Sequence, residues 1–350
     1  MRVVVVGATG NVGTSVLRSL VDEERVASVL GLARRVPNLS MPKVEWAEAD
    51  VTRDDFAPHL RDADAVVLLS WLIQPSRDLN KLWMVNVEGT MRVARAAKDA
   101  SVPALLYASS VGTYSPGPKD RRVDESWPTG GVAGSYYARQ KAEVERRLDR
   151  FEAENPRMRV VKMRPGLVFK REAAQGIRRL FAGPFFPGFL AHPRLINLVP
   201  EVAGLRSQVV HSHDVGEAFR LALVNDVRGA FNLAAEPPLD AAEIGGILEA
   251  RSFSLPANVL RTGANISWRL RLQPVPPDWL DLSLNIPLMD TTRAREELGW
   301  TPQHSAGGAL LELLEGLRTG AGLETPVLSP KTSGPGRVHE IETGVGKREP

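Results

Sequence analysis

The first thirteen residues, Met1-Arg2-Val3-Val4-Val5-Val6-Gly7-Ala8-Thr9-Gly10-Asn11-Val12-Gly13, restrict the fold more than any other stretch. Four successive β-branched apolar residues read as a strand buried on both faces. Glycines then recur at every third position, and Val16, Leu17, Leu20 and Val21 follow at helical spacing. Strand, glycine turn and helix together leave backbone N–H groups at a helix N-terminus, where they can bind a phosphate. A Cβ there would block both the tight turn and the approach of a pyrophosphate. The spacing G-x-x-G-x-x-G departs from the G-x-G-x-x-G dinucleotide fingerprint. A plain glycine-rich turn would read the same. The position between a valine strand and an amphipathic helix points to a nucleotide.

The rest of the chain repeats the alternation. Strands are expected at Ser28 to Ala33, Val44 to Ala47, Ala65 to Leu69, Ala104 to Ala108 and Arg159 to Met163. Helices are expected at Leu79 to Ala100 and Ser135 to Glu154. This order predicts an α/β fold, a Rossmann-type doubly wound parallel sheet with a smaller C-terminal substrate lobe. The expected division is residues 1–165 for the nucleotide-binding domain, to which later segments can return, and 166–320 for the lobe. The lobe opens with the aromatic run Phe181 to Phe189. Over 325–350, Pro, Gly, Ser and charge replace apolar periodicity, which predicts a disordered tail.

Composition excludes several classes. A formal net charge of +3 with no dense Lys/Arg block gives no nucleic-acid signature. The absence of cysteine rules out disulfides, thiol catalysis and cysteine metal sites, and fits a cytoplasmic protein. No uncharged run reaches the length of a membrane span. His211 and His213 are two apart, but without a third ligand motif they predict no metal site.

Tyr137 and Lys141 are four apart on an expected helix and so share a face. An ammonium beside a phenol lowers the phenol's pKa, which makes Tyr137 an acid/base candidate. Such pairs are also common on solvated helix faces. Ser109 and Ser110 end an expected strand, at the carboxyl edge where ligands bind in parallel sheets. They would also serve as ordinary loop caps.

With these residues in place the chain resembles the extended short-chain dehydrogenase/reductases, the group of NAD(P)-dependent epimerases and dehydratases. The resemblance runs from Met1 to about Leu317. It rests on the glycine turn, Asp50-Val51, Asn86-Val87-Glu88-Gly89-Thr90, Tyr107-Ala108-Ser109-Ser110, Tyr137 with Lys141, and Arg164-Pro165-Gly166-Leu167-Val168-Phe169. Val210 to Val215 and Leu298-Gly299-Trp300-Thr301-Pro302 resemble the family's C-terminal markers.

The resemblance implies roles. Gly7, Thr9, Gly10, Asn11, Val12 and Gly13 would hold the pyrophosphate. Asp50 would bond the adenine amino group with Val51 beside it, and Leu69, Ser70 and Trp71 would line a ribose. Asn86 would support the active-site loop. Ser110, Tyr137 and Lys141 would be the catalytic triad, with Ser109 among the cofactor contacts and Lys141 also on the nicotinamide ribose. Pro165 to Val168 would pack near the nicotinamide. Ser70-Trp71 is bulkier than the family's usual residues and predicts a narrower space above the cofactor.

The expected activity is hydride transfer at a secondary alcohol or ketone of a small molecule. A nucleotide-sugar epimerase or dehydratase is the family's commonest theme. A reductase of a small apolar carbonyl suits the Phe-rich lobe, and a non-catalytic NAD(P)-binding regulator is a further alternative. The end of the second strand reads Leu32-Ala33-Arg34-Arg35, without the carboxylate that holds a ribose 2′-OH. Arg34 supplies a fork for a 2′-phosphate, so NADP is expected ahead of NAD. A homodimer is compatible with all of this.

Overall fold

The computed structural model describes residues 1–342 and Val345. Its strands are β1 (Arg2–Val6), β2 (Ser28–Ala33), β3 (Val44–Glu48), β4 (Ala65–Leu68), β5 (Ala104–Ala108), β6 (Arg122–Val123), β7 (Arg159–Pro165), β8 (Leu167–Phe169), β9 (Leu198–Glu201), β10 (Val209–His211), β11 (Gly229–Leu233), β12 (Arg251–Ser254) and β13 (Leu288–Met289). Seven form one sheet in the order β11-β7-β5-β4-β1-β2-β3. All of its pairings are parallel. The expected α/β, doubly wound parallel sheet is therefore present, and it includes a strand from well beyond residue 166.

The valine run explains the layering. Val3 and Val5 point into a core with Val16, Leu17, Leu20, Val215 and Phe219. Val4 and Val6 point into the opposite core with Leu60, Val93, Val144 and Leu148. Each strand residue thus feeds one of two helical layers, as strand alternation requires. On the first face the helices Asn11–Val21 and Ser212–Val224 cross closely. A Cβ on Gly216 would lie 2.6 Å from the Ser15 carbonyl oxygen. Chain order reverses at β1, which has β2 on one side and β4 on the other. Crevices at such reversals, beyond the strands' carboxyl ends, are where ligands bind.

The long helix expected from Leu79 to Ala100 is interrupted. A widened π turn, Met84–Glu88, separates the helices Leu79–Trp83 and Gly89–Asp99. Such turns recur at functional sites.

Outside the large sheet stand three short parallel pairs, β8/β10, β9/β12 and β6/β13. The tail differs from expectation. Thr325, Leu328 and Ser333 are buried, and a short helix spans Val338–Glu342. Thr325 Oγ1 donates to the Thr9 carbonyl at 3.0 Å, and buried Arg178 pairs with Glu340. Polar anchors hold this segment, so the loss of apolar periodicity did not mean loss of structure. Residues 343, 344 and 346–350 of the expected tail lie outside the described residues. Among the described residues, no helix is long and apolar enough to cross a membrane.

Candidate active site

The glycine turn crosses the start of the loop after β4. Gly7 has φ +86°, and a Cβ on it would lie 2.7 Å from the Ser70 nitrogen. A Cβ on Gly13 would lie 2.5 Å from the Gly7 carbonyl oxygen. Both positions are therefore closed by the protein itself. Gly10 differs. The nearest atom to its Cβ position is the Gly7 oxygen at 3.5 Å, an ordinary contact, and Gly10 caps the helix without a side-chain bond. The open side of the turn is the side a phosphate would approach.

Asn11 Nδ2 donates to the Val168 carbonyl at 2.9 Å, which joins the turn to the segment after β7. Thr9 is buried and Val12 packs against the first core. Pro165 ends β7, paired with Leu233. Val51 packs in the second core, where its Cγ2 would be 2.6 Å from a Cβ on Gly89. Asp50 Oδ1 accepts from the Thr52 amide and hydroxyl at 2.9 and 2.7 Å. Burial pushes the Asp50 carboxyl up, but these bonds and the nearby Arg34 charge bring it below the usual range. Arg34 is half-buried and Arg35 exposed just past β2.

The widened turn places Asn86 under the loop after β4. Asn86 is fully buried. Its Oδ1 accepts from the Leu72 amide at 2.7 Å, and its Nδ2 donates to the Leu72 carbonyl and to Gln140 Oε1, both at 2.8 Å. That loop carries Leu69, Ser70 and Trp71 over the glycine turn.

Ser135 caps the helix Tyr136–Glu154, its hydroxyl accepting from the Ala138 amide at 3.3 Å. Tyr137 and Lys141 project from this helix toward the end of β5. A Cβ on Gly112 would lie 2.9 Å from Tyr137 Cε1 and 3.4 Å from Ser110 Oγ, so phenol and serine flank one small space. Burial pushes the Tyr137 phenol up to about 12, although the Ser110 hydroxyl pulls it down. Lys141 does not lower it here, contrary to expectation. The Lys141 ammonium donates to the Ala108 carbonyl at 2.7 Å and lies 3.6 Å from the Trp71 ring centre. Its own pKa is held well below normal by burial. The Trp71 ring covers the Lys141 ammonium on that side.

The Ser109 hydroxyl, expected among the cofactor contacts, donates to Glu145 Oε1 at 2.5 Å. Glu145 is fully buried and pairs with Arg164 at 2.5 Å. Arg164 also donates to the Tyr114 hydroxyl at 2.9 Å. This ion pair stiffens the floor beneath Ser110.

Aromatic rings wall the far side. Tyr137 lies 5.0 Å from Trp279 and 5.8 Å from Trp71, and Trp279 lies 4.8 Å from Phe181 (centre to centre). Next to Trp279, half-buried Asp278 has one carboxylate oxygen without a partner and is raised to about 6, mainly by burial. Its other oxygen accepts from the Tyr136 amide at 3.3 Å. Sequence reasoning missed Asp278 because it lies far from every recognised motif.

Lys170 was also missed. It is almost fully buried, and its ammonium donates to Asn11 O at 2.8 Å, Thr14 Oγ1 at 2.6 Å and Ser15 Oγ at 3.0 Å. It therefore sits behind the first turn of the helix Asn11–Val21, with no carboxylate bonded to it among the described residues. His304 joins His211 and His213, their ligating nitrogens within 4.8 Å of one another. Each ring is already engaged: His211 with Glu312 at 3.0 Å, His213 with Arg18 at 2.7 Å, and His304 with Asp214 at 3.1 Å.

A dinucleotide fits these residues. Gly10 leaves the turn open, and Asn11 Oδ1, Ser70 Oγ and Trp71 Nε1 are buried polar atoms without partners.

A strand–glycine turn–helix at the reversal of a parallel sheet, with a serine, tyrosine and lysine at its carboxyl edge, defines a short-chain dehydrogenase/reductase type of enzyme. The profile of the NAD dependent epimerase/dehydratase family matches residues 3–234, and the chain belongs to that family. It is 25% identical over 327 residues to the uncharacterized protein Rv2047c of Mycobacterium tuberculosis, covering 92% of this chain and 31% of the relative. The chain thus spans about a third of that relative's length. It is 33% identical over 97 residues, 27% of each chain, to the sterol-4-alpha-carboxylate 3-dehydrogenase of Candida albicans. Among solved structures it resembles UDP-glucose 4-epimerase of Thermus thermophilus with NAD, at TM-score 0.65 and 20% identity, covering 91% of this chain and 99% of that one. It likewise resembles gox2253, at TM-score 0.68 and 22% identity, covering 91% and 98%. These structural likenesses speak to the fold.

Proposed function

We propose that this chain is an NADP(H)-linked oxidoreductase that reduces a ketone, or oxidises the matching secondary alcohol, on a substrate held between aromatic rings. The observation that carries this reading is Tyr137, flanked by Ser110 and walled by Trp71 and Trp279. When bound, the cofactor supplies or accepts a hydride. The turn around Gly10 and Asn11 would hold its diphosphate, Asp50 and Arg34 its adenosine end, and Lys141 its inner ribose. Ser110 would hold the substrate oxygen. Tyr137 keeps its proton at neutral pH, the form suited to protonating a reduced carbonyl oxygen. The rings exclude water from that proton transfer.

Three lobe arginines that could serve a substrate diphosphate are engaged elsewhere, whereas exposed Arg171 and Arg194 make no ion pair among the described residues. Arg178 pairs with Glu340, Arg179 donates to the Val327 and Ser329 carbonyls, and Arg206 pairs with Asp240. That favours an apolar substrate over a nucleotide sugar. A nucleotide-sugar epimerase is the second reading. It is supported by neighbours solved with UDP-sugars and by the unpartnered Asp278 oxygen, which suits a hydroxyl.

The test is to mix purified protein with NADPH or NADH and panels of apolar ketones and UDP-sugars, following reduced-nicotinamide absorbance and sugar products. Turnover of ketones that falls about a hundredfold or more in Tyr137→Phe, with cofactor affinity kept, is expected. Sugar interconversion without ketone turnover would favour the second reading. Undiminished turnover in Tyr137→Phe removes the proposed role.

A further inference from the structure

The helix Ala257–Arg269 contains no buried residue, and its apolar side faces outward. Val259, Ile266 and Leu270, spaced by seven and then four residues, are 54%, 53% and 65% exposed. Leu260, Ala264 and Trp268 on its other side are only half-buried. A surface helix ordinarily shows water its polar side. Further exposed apolar residues are Phe253 on β12 and Leu272 just past the helix.

The charge on this segment has one sign. From Arg251 to Gln273 there are four arginines, Arg251, Arg261, Arg269 and Arg271, and no carboxylate. Arg77 adds a fifth, stacked 4.1 Å over the Trp268 ring. Arg261 is bonded to Asp281, and Glu201 stands on the neighbouring strand β9. Arg251, Arg269 and Arg271 make no ion pair among the described residues.

We infer that this face docks on an anionic lipid surface, with the helix lying in the plane of the headgroups. Outward Leu, Ile, Val and Phe beside arginine is the make-up of an interfacial helix. The arginines would meet lipid phosphates while the apolar stripe enters the acyl boundary. A second copy of the chain is a poorer occupant. A two-fold interface uses the same patch on both subunits, so it would gather both copies' arginines into one contact. The inference does not depend on which substrate the active site takes.

The test is co-sedimentation of the full chain with vesicles of phosphatidylcholine alone or mixed with phosphatidylglycerol. Binding is expected to the mixed vesicles only and to weaken as salt is raised. Ile266→Asp with Leu270→Asp, and separately Arg269→Glu with Arg271→Glu, should each lower the bound fraction about tenfold. Because all four positions are exposed, cofactor affinity should stay unchanged and report an intact fold. Wild type that stays in solution, variants that bind as wild type does, or equal binding to both vesicle types would overturn the inference. So would sedimentation velocity showing a wild-type dimer that the Asp pair converts to monomer, because the face would then be a subunit contact.

Discussion

The Lys141 ammonium lies 3.6 Å from the centre of the Trp71 indole ring, with hydrogen bonds directed to the Ala108 carbonyl at 2.7 Å and the Tyr107 hydroxyl at 3.3 Å. The ring therefore competes with any ribose hydroxyl for that ammonium. A desolvated cation–π contact is worth about 0.5–2 kcal/mol. Trp71→Ala should tighten cofactor binding by about two- to thirtyfold, measured by calorimetry. Weaker binding in the variant would mean that the indole supports the cofactor instead of competing with it.

The three glycines of the first turn should separate by experiment. A Cβ on Gly13 meets backbone oxygen at 2.5 Å, whereas one on Gly10 meets nothing closer than 3.5 Å. Gly10→Val should melt close to wild type and lose cofactor binding. Gly13→Val should lose stability by about 1–3 kcal/mol or more from overpacking. Denaturant melts and cofactor titration of both variants check this. A folded Gly10→Val protein with wild-type affinity would place the diphosphate elsewhere.

What could be read from the chain and what could not have different physical origins. The valine run, the glycine turn and the periodicity of the helix Tyr136–Glu154 are local signals, and each marks an element that local chemistry alone specifies. Lys170 reads as a solvated lysine, and only the packing of the segment after β8 against the first helix buries it. The widened turn at Met84–Glu88 leaves no compositional mark, because a π turn shifts register without changing which residues are apolar. The tail looked unstructured because Thr325 and Glu340 are held by long-range polar bonds, to the Thr9 carbonyl and to Arg178, and not by apolar periodicity. The direction of the Tyr137 shift depends on how deeply Trp71 and Trp279 cover it, which helical spacing cannot report.

Cofactor choice should turn on Arg34. No carboxylate stands at the end of β2, and Arg34 is near enough to Asp50 to lower its pKa. An arginine fork suits a ribose 2′-phosphate, and a carboxylate there would repel it. Arg34→Ala should weaken NADP binding about tenfold and leave NAD binding within about twofold, since a charged hydrogen bond is worth about 1.5–3 kcal/mol. Titration of both cofactors against both proteins measures it. Tighter NAD than NADP binding in wild type would assign the chain to NAD.

Lys170 should make cofactor binding depend on pH. Burial holds its ammonium down at about 7, with the Glu172 charge raising it and Arg18 lowering it further. Its three bonded acceptors are neutral, and one is the carbonyl of Asn11, at the start of the helix Asn11–Val21 that would face the diphosphate. A diphosphate at that helix end favours the charged lysine, so its pKa is higher in the complex than in the free protein. Binding then takes up a proton. Affinity is greatest below about pH 7 and falls as pH rises through that value, by up to about tenfold for each unit the complex raises the pKa. The fall ends once the pH passes the raised value. His213, held down at about 4 chiefly by burial, stays neutral across this window and does not contribute. Lys170→Met removes the titrating group while keeping the length of the side chain. It should bind cofactor more weakly than wild type at about pH 6 and show a flat profile up to about pH 9. Calorimetry in two buffers of different ionisation enthalpy counts the proton directly. A wild-type profile that is already flat, or a Lys170→Met profile that still falls, would show that this lysine carries no charge toward the cofactor.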